Sequence, residues 1–90
     1  MIDYIAYHAR LDERLADLGR EEMMALAVSI AIGCDGCIAY HTHDAVAAGA
    51  TRPELIETIG VGVLMGGGPG SIYAVHALDA VDQFLPPEPA

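Results

Sequence analysis

Two cysteines, the only ones in the chain, stand three residues apart in Cys34-Asp35-Gly36-Cys37, and His41 follows Cys37 by four. On a helix, residues three, four and seven apart share a face, so Cys34, Cys37 and His41 form one stripe whose side chains can converge. Cys-x-x-Cys is a spacing at which a disulfide closes within one turn, so a sulfenic acid formed on one sulfur is captured by its neighbour before over-oxidation. If a helix begins near Cys34, both thiols lie close to unpaired backbone N–H groups and the positive end of the helix dipole, which favour thiolate over thiol. His41, with an ordinary pKa of about 6.5, can take a proton from a thiol or stabilise the thiolate as imidazolium. His43 lies two positions further, turned to a different face, and reads as a surface or packing residue.

Zinc competes for the same residues, because two thiolates and one or two imidazoles match its preferred ligands. Structural zinc sites usually bring a second ligand pair from another segment, whereas His8 and His76 are single residues far along the chain. Two cysteines filling a core is the plainest alternative. Between the two thiols, the helix dipole favours Cys34 as nucleophile and the proximity of His41 favours Cys37; we take Cys37. The residues themselves require no metal and no organic cofactor.

The elements that must hold these residues read as helices. Residues 3–18 alternate Ile5, Leu11, Leu15 and Leu18 with charged neighbours and stop at Gly19. A second helix runs from Arg20 or Glu21, acids first, to Ile32, where Gly33 stops it; apolar on nearly every face, it is expected to be buried. The third covers about Cys34 to Ala48 and is closed by Gly49. The fourth starts strongly in Thr51-Arg52-Pro53-Glu54, where Thr51 can cap, Pro53 suits an early helical position and Glu54 can reach back. It runs to about Met65, where Gly-Gly-Gly-Pro-Gly (66–70) breaks it; a fifth fills roughly Ser71 to Phe84, and residues 85–90 form a flexible tail. The expectation is one all-α domain over residues 1–90, of about five helices, with no strands and no repeats.

Four basic against thirteen acidic residues give a net charge of −9, which repels phosphate backbones and anionic lipid, so nucleic acid and membrane are not expected partners. The longest nearly continuous apolar run, Met23 to Ile32, is far shorter than the about 20 residues a membrane span needs. No basic segment leads an apolar one at the N-terminus, so a cytoplasmic location is expected. There, two cysteines do not act as a permanent staple and more often bind metal or cycle between thiol and disulfide. The hydrophobic share is 53%, yet five short helices cannot cover one another in 90 residues, so part of the apolar surface is expected to be buried between subunits.

The stretch from about Arg20 to Phe84, which includes "EMMALAVSIAIGCDGCIAYHTHDAVAAGATRPELIETIGVGVLMGGGPG", closely resembles the alkylhydroperoxidase D-like branch of the carboxymuconolactone decarboxylase superfamily. The core of the likeness is Glu, eleven residues, Cys-x-x-Cys, three residues and His, met by Glu22, Cys34, Cys37 and His41. The resemblance implies an all-helical homo-oligomer, a trimer or hexamer, with peroxidase or thiol-disulfide activity. It implies Cys37 as the peroxidatic and Cys34 as the resolving cysteine. Glu22, which local spacing marks only as a dipole complement, would join His41 and a water in a proton relay. The expected partners are a hydroperoxide and a dithiol reductant such as a lipoyl protein, or a peroxiredoxin. His76 falls where such proteins often have histidine and is assigned nothing beyond packing at a helix or subunit contact. The segment before Glu22 is shorter than in many relatives, so active-site cover or assembly is expected to differ. Decarboxylases of the superfamily are not built around a Cys-x-x-Cys pair, which counts against decarboxylation. The rival classes are a zinc-binding or redox-sensing oligomeric helical module without turnover.

Overall fold

The turns decide the path of this chain. The structure, a computed structural model, describes residues 3–7, 9–10 and 20–86. At the N-terminus, residues 4–7 and 9–10 are helical and Asp3 Oδ1 accepts from the backbone N–H of Ile5 and Ala6, an N-cap for the first expected helix. Leu11, Leu15, Leu18 and Gly19 lie outside the described residues.

Helix α1 spans Arg20–Ile32, with Glu21 and Glu22 in its first turn. It ends in a Schellman motif: Gly33 takes φ 73°, its N–H bonds to the Ile30 carbonyl at 3.2 Å, and the Cys34 N–H reaches the Ser29 carbonyl at 3.0 Å. Helix α2 spans Asp35–Ala47 and closes the same way, with Gly49 bonded to Val46 and Ala50 to Ala45. Helix α3 spans Arg52–Phe84 and opens on the expected capping box: Thr51 N–H donates to Glu54 Oε1 at 2.8 Å, Glu54 N–H donates to Thr51 Oγ1 at 3.4 Å, and Pro53 sits in the first turn.

Inside α3 only Gly67, at φ 66° and ψ −145°, leaves helical geometry. The expected five-residue interruption is therefore a one-residue hinge between two helical arms. Pro69 fits because it lies in the first turn of the second arm, where its missing N–H has no helical acceptor to lose. The second arm doubles back. A Cβ on Gly70 would lie 3.1 Å from the Gly62 carbonyl oxygen, whereas eight residues of straight helix would separate them by about 12 Å. Glycine is required at Gly62 itself, where a Cβ would meet Ile30 Cβ at 2.7 Å, and this close approach seats α1 against the first arm.

Leu26 and Ile30 of α1, Ile38 and Ala45 of α2, and Leu55, Ile59, Ala74, Ala77 and Val81 of α3 make one core. Truncating a buried residue such as Leu26 or Leu55 to Ala costs about 2–5 kcal/mol. Leu85, placed by sequence in the free tail, is held: it packs on the core, its N–H bonds to Val81, and its carbonyl accepts from Arg52 Nη2. Residues 87–90 lie outside the described residues.

The burial expected of α1 holds for one face. Leu26, Ser29 and Ile30 are buried, whereas Met24, Val28 and Ile32 stay exposed, because α2 and α3 both pack on the same side. Helix α3 is long and apolar enough, by length and composition, to cross a membrane. Its hinge divides it into arms each shorter than the about 20 residues a span needs, and both arms supply core residues.

Candidate active site

Cys34 belongs to two helix ends at once. Its N–H completes the Schellman motif of α1, and with φ −111° and ψ 97° it is also the N-cap of α2, its Sγ accepting the Cys37 N–H at 3.2 Å. Its backbone is thus fixed from both sides. Cys37 lies in the first turn of α2, and the two sulfurs are joined in a disulfide across a Cα separation of 5.2 Å. Both residues are partly exposed.

One turn further along α2, His41 Nδ1 lies 2.7 Å from Glu22 Oε2 of α1. The two side chains are 27% and 30% exposed, a shielded position for an ion pair. An ionised Glu22 accepts, so Nδ1 carries the hydrogen and Nε2 is left as the nitrogen able to take another proton. Tyr40 sets its ring edge-on to the imidazole at 5.2 Å. The geometry thus brings together Cys34 with Cys37, and Glu22 with His41. Among the hydrogen bonds of the described residues, none joins His41 to either sulfur in this disulfide form. The four expected site residues therefore stand as two separate pairs, the disulfide at the start of α2 and the Glu22–His41 contact between α1 and α2.

A second histidine–carboxylate pair flanks the disulfide. His76, on the second arm of α3, places Nδ1 2.6 Å from Oδ1 of Asp35, the residue between Cys34 and Gly36. Tyr73, one turn earlier, lies edge-on to His76 at 5.3 Å and covers Gly33 so closely that a Cβ there would meet its Cε2 at 2.8 Å. His76 thus sits at a helix contact, as expected, and its ring nitrogen engages the first turn of α2. The only local signal was the i, i+3 spacing of Tyr73 and His76; their target depends on the hinge at Gly67. From Asp35 and His76 a cleft of about 280 Å³ runs over Ile38, Ala39, Asp79 and Phe84. His43 points elsewhere, to Asp44 at 3.0 Å and against the edge of Phe84. Among the described residues no three His, Cys, Asp or Glu side chains are grouped to hold a metal ion.

Fold and site together define an all-helical domain that presents a disulfide-forming Cys-x-x-Cys at a helix start beside a glutamate–histidine pair. The chain belongs to the carboxymuconolactone decarboxylase family, whose sequence model matches residues 3–80. A crystal structure of a family member from Legionella pneumophila, in its apo form, superposes with a TM-score of 0.71 at 36% identity, covering 91% of this chain and 78% of that one. An uncharacterized protein of Cupriavidus necator is 42% identical over 62 residues, which is 69% of this chain and 55% of that protein. The chain thus spans about half the length of this curated relative.

Proposed function

We propose that the chain is a thiol-dependent peroxidase of the alkylhydroperoxidase D-like kind. The observation that carries this reading is the Cys34–Cys37 disulfide at the head of α2 with the Glu22–His41 pair one turn beyond it. His41, oriented by Glu22, takes the Cys37 proton. The thiolate attacks the terminal oxygen of a hydroperoxide; an S–O bond forms, the O–O bond breaks, and the alcohol leaves with a proton from the relay. Cys34 then attacks the Cys37 sulfenic acid, releasing water and closing the disulfide. A dithiol such as a lipoyl protein restores both thiols, or the chain serves a peroxiredoxin.

The setting we propose is cytoplasmic, without nucleic acid or membrane, in keeping with the charge of −9. Self-association as a trimer or hexamer would cover Met24, Val28 and Ile32 of α1 and Leu64, Met65 and Ile72 of α3, all exposed in the single chain.

Stopped-flow oxidation of the reduced protein by cumene hydroperoxide tests the roles. Cys37→Ser abolishes the reaction. Cys34→Ser reacts once, accumulates sulfenic acid and does not turn over. Glu22→Gln slows the oxidation about 100-fold, the lower end of what a positioned proton-transfer group supplies. Unchanged oxidation in Cys37→Ser overturns the assignment of the nucleophile.

A further inference from the structure

We propose that His76 is a positioning residue for the reductive half of the cycle, acting through Asp35 on Cys34, the sulfur that leaves when the disulfide is reduced. The inference rests on the thiol–disulfide reading above. Its starting point is the asymmetry of the pair. The Cys34 Sγ already accepts the Cys37 N–H at 3.2 Å and sits at the N-cap of α2, so on opening of the S–S bond this sulfur keeps a hydrogen-bond donor and the positive end of the helix. A sulfur that is stabilised in this way as it departs is the better leaving group, so the incoming reductant attacks Cys37.

In that step a thiolate of the dithiol reductant bonds to Cys37 Sγ, the Cys34–Cys37 bond breaks, and its electron pair departs on Cys34 as thiolate. The reductant's second thiolate then attacks its own sulfur in the mixed disulfide. Cys37 leaves and takes a proton through His41; the reductant is oxidised to a disulfide and the protein has gained two electrons.

Asp35 stands in the way of this charge flow. It is the first helical residue, directly after the Cys34 N-cap, so its carboxylate and a Cys34 thiolate would bring two negative charges to one helix start. His76 holds that carboxylate at 2.6 Å and, when protonated, offsets it. Tyr73 fixes the imidazole by its edge contact while resting on Gly33, the residue before Cys34. Among the described residues, further charged groups on this side are Asp79, which lines the same cleft, and Glu22 and His41 one turn beyond Cys37. His76 and Asp35 are 44% and 63% exposed, so solvent screens the effect and its expected size is modest.

The test is thiolate absorbance of the reduced protein against pH, with the disulfide equilibrium measured in dithiothreitol, for wild type, His76→Ala, Asp35→Asn and the double variant. His76→Ala is expected to raise the pKa of the more acidic thiol by about half a pH unit and to favour the disulfide about threefold. Asp35→Asn shifts both in the opposite sense, and adding His76→Ala to it changes neither further. His76→Gln serves in place of His76→Ala if the latter does not fold. A wild-type titration in the His76 variants, or an equal shift with Asp35→Asn already present, overturns the proposal. Neither measurement needs peroxide, so failure of peroxide turnover with these shifts intact strikes the peroxidase reading alone.

Discussion

Helices α2 and α3 begin alike in backbone and differ in what their first turn is for. Each follows a glycine-closed Schellman motif, and each starts from an extended N-cap residue, Cys34 at φ −111° or Thr51 at φ −86°. At α3 the hydroxyl and carboxylate of Thr51 and Glu54 satisfy each other's backbone N–H groups, and both side chains are committed to that exchange. At α2 the capping acceptor is a sulfur, a weak acceptor, and the residue at the third helical position is the second cysteine. A helix start closed by a reciprocal cap and one that carries a cysteine pair thus sit seventeen residues apart on about the same scaffold. The contrast shows where this chain places its cysteine pair: at an end whose backbone is fixed from outside, here by the Gly33 turn and the packing of Tyr73, so that the cap need not do the fixing.

That explanation places most of the rigidity of the α2 start in Gly33. Gly33→Ala forces an L-residue into the left-handed region at a cost of about 1–2 kcal/mol and drives a methyl into the Tyr73 ring, for a total near 2–3 kcal/mol by urea denaturation. Because Tyr73 contacts His76, the same change should loosen the His76–Asp35 pair and alter the thiolate titration. A loss below about 0.5 kcal/mol would mean that the cap itself holds Cys34, and the comparison would fail.

The next largest difference lies between the two cap residues. Thr51→Ala should cost about 1 kcal/mol, the ordinary worth of an N-cap. In the reduced state Cys34→Ser should cost nothing and gain up to about 1 kcal/mol, since serine is the better cap, while disulfide formation is lost. Thermal melts under reducing conditions decide it; a Cys34→Ser protein less stable than reduced wild type would show that the sulfur is structural.

What the sequence disclosed follows the range of the interaction. Cys34, Cys37 and His41 could be put on one stripe because helical spacing is local, and the glycine stops at 33 and 49 and the Thr51–Glu54 box are signals within a few residues. Glu22 locally marks only an acidic first turn; its pairing with His41, nineteen residues on, came through the resemblance. Asp35 with His76 was not legible, because a contact across forty-one residues depends on the second arm of α3 folding back at Gly67 and on Gly70 nesting against Gly62. The interruption is shorter than the Gly-Gly-Gly-Pro-Gly run for the same reason: Gly66 and Gly70 serve close approach to Ala31 and Gly62, and Gly67 alone turns the chain. Composition likewise marked α1 as apolar all round but could not say which face the other helices would leave open.

The smallest effect isolates the stabilising start from the reactive one by pH. The Thr51 backbone N–H and then the Thr51 side chain hold the Glu54 carboxyl below its ordinary value, with attraction from Arg20 adding to them against a small opposing desolvation. A carboxyl whose pKa is lower in the folded than in the unfolded state binds protons more weakly when folded. Its contribution to stability is therefore complete above the unfolded glutamate range and is lost as pH falls through that range to the folded value. The Glu54→Gln protein, which keeps a group able to accept from the Thr51 N–H but cannot ionise, should melt at a temperature that falls less steeply than wild type between about pH 5 and pH 3. The two proteins should differ most near neutrality and converge in acid. Cys34→Ser, altered at the other helix start, should keep the wild-type slope over the same interval, since no carboxylate reciprocates that cap. If Glu54→Gln and wild type run parallel throughout, the capping carboxylate carries no folding energy, and the two helix starts differ in chemistry alone.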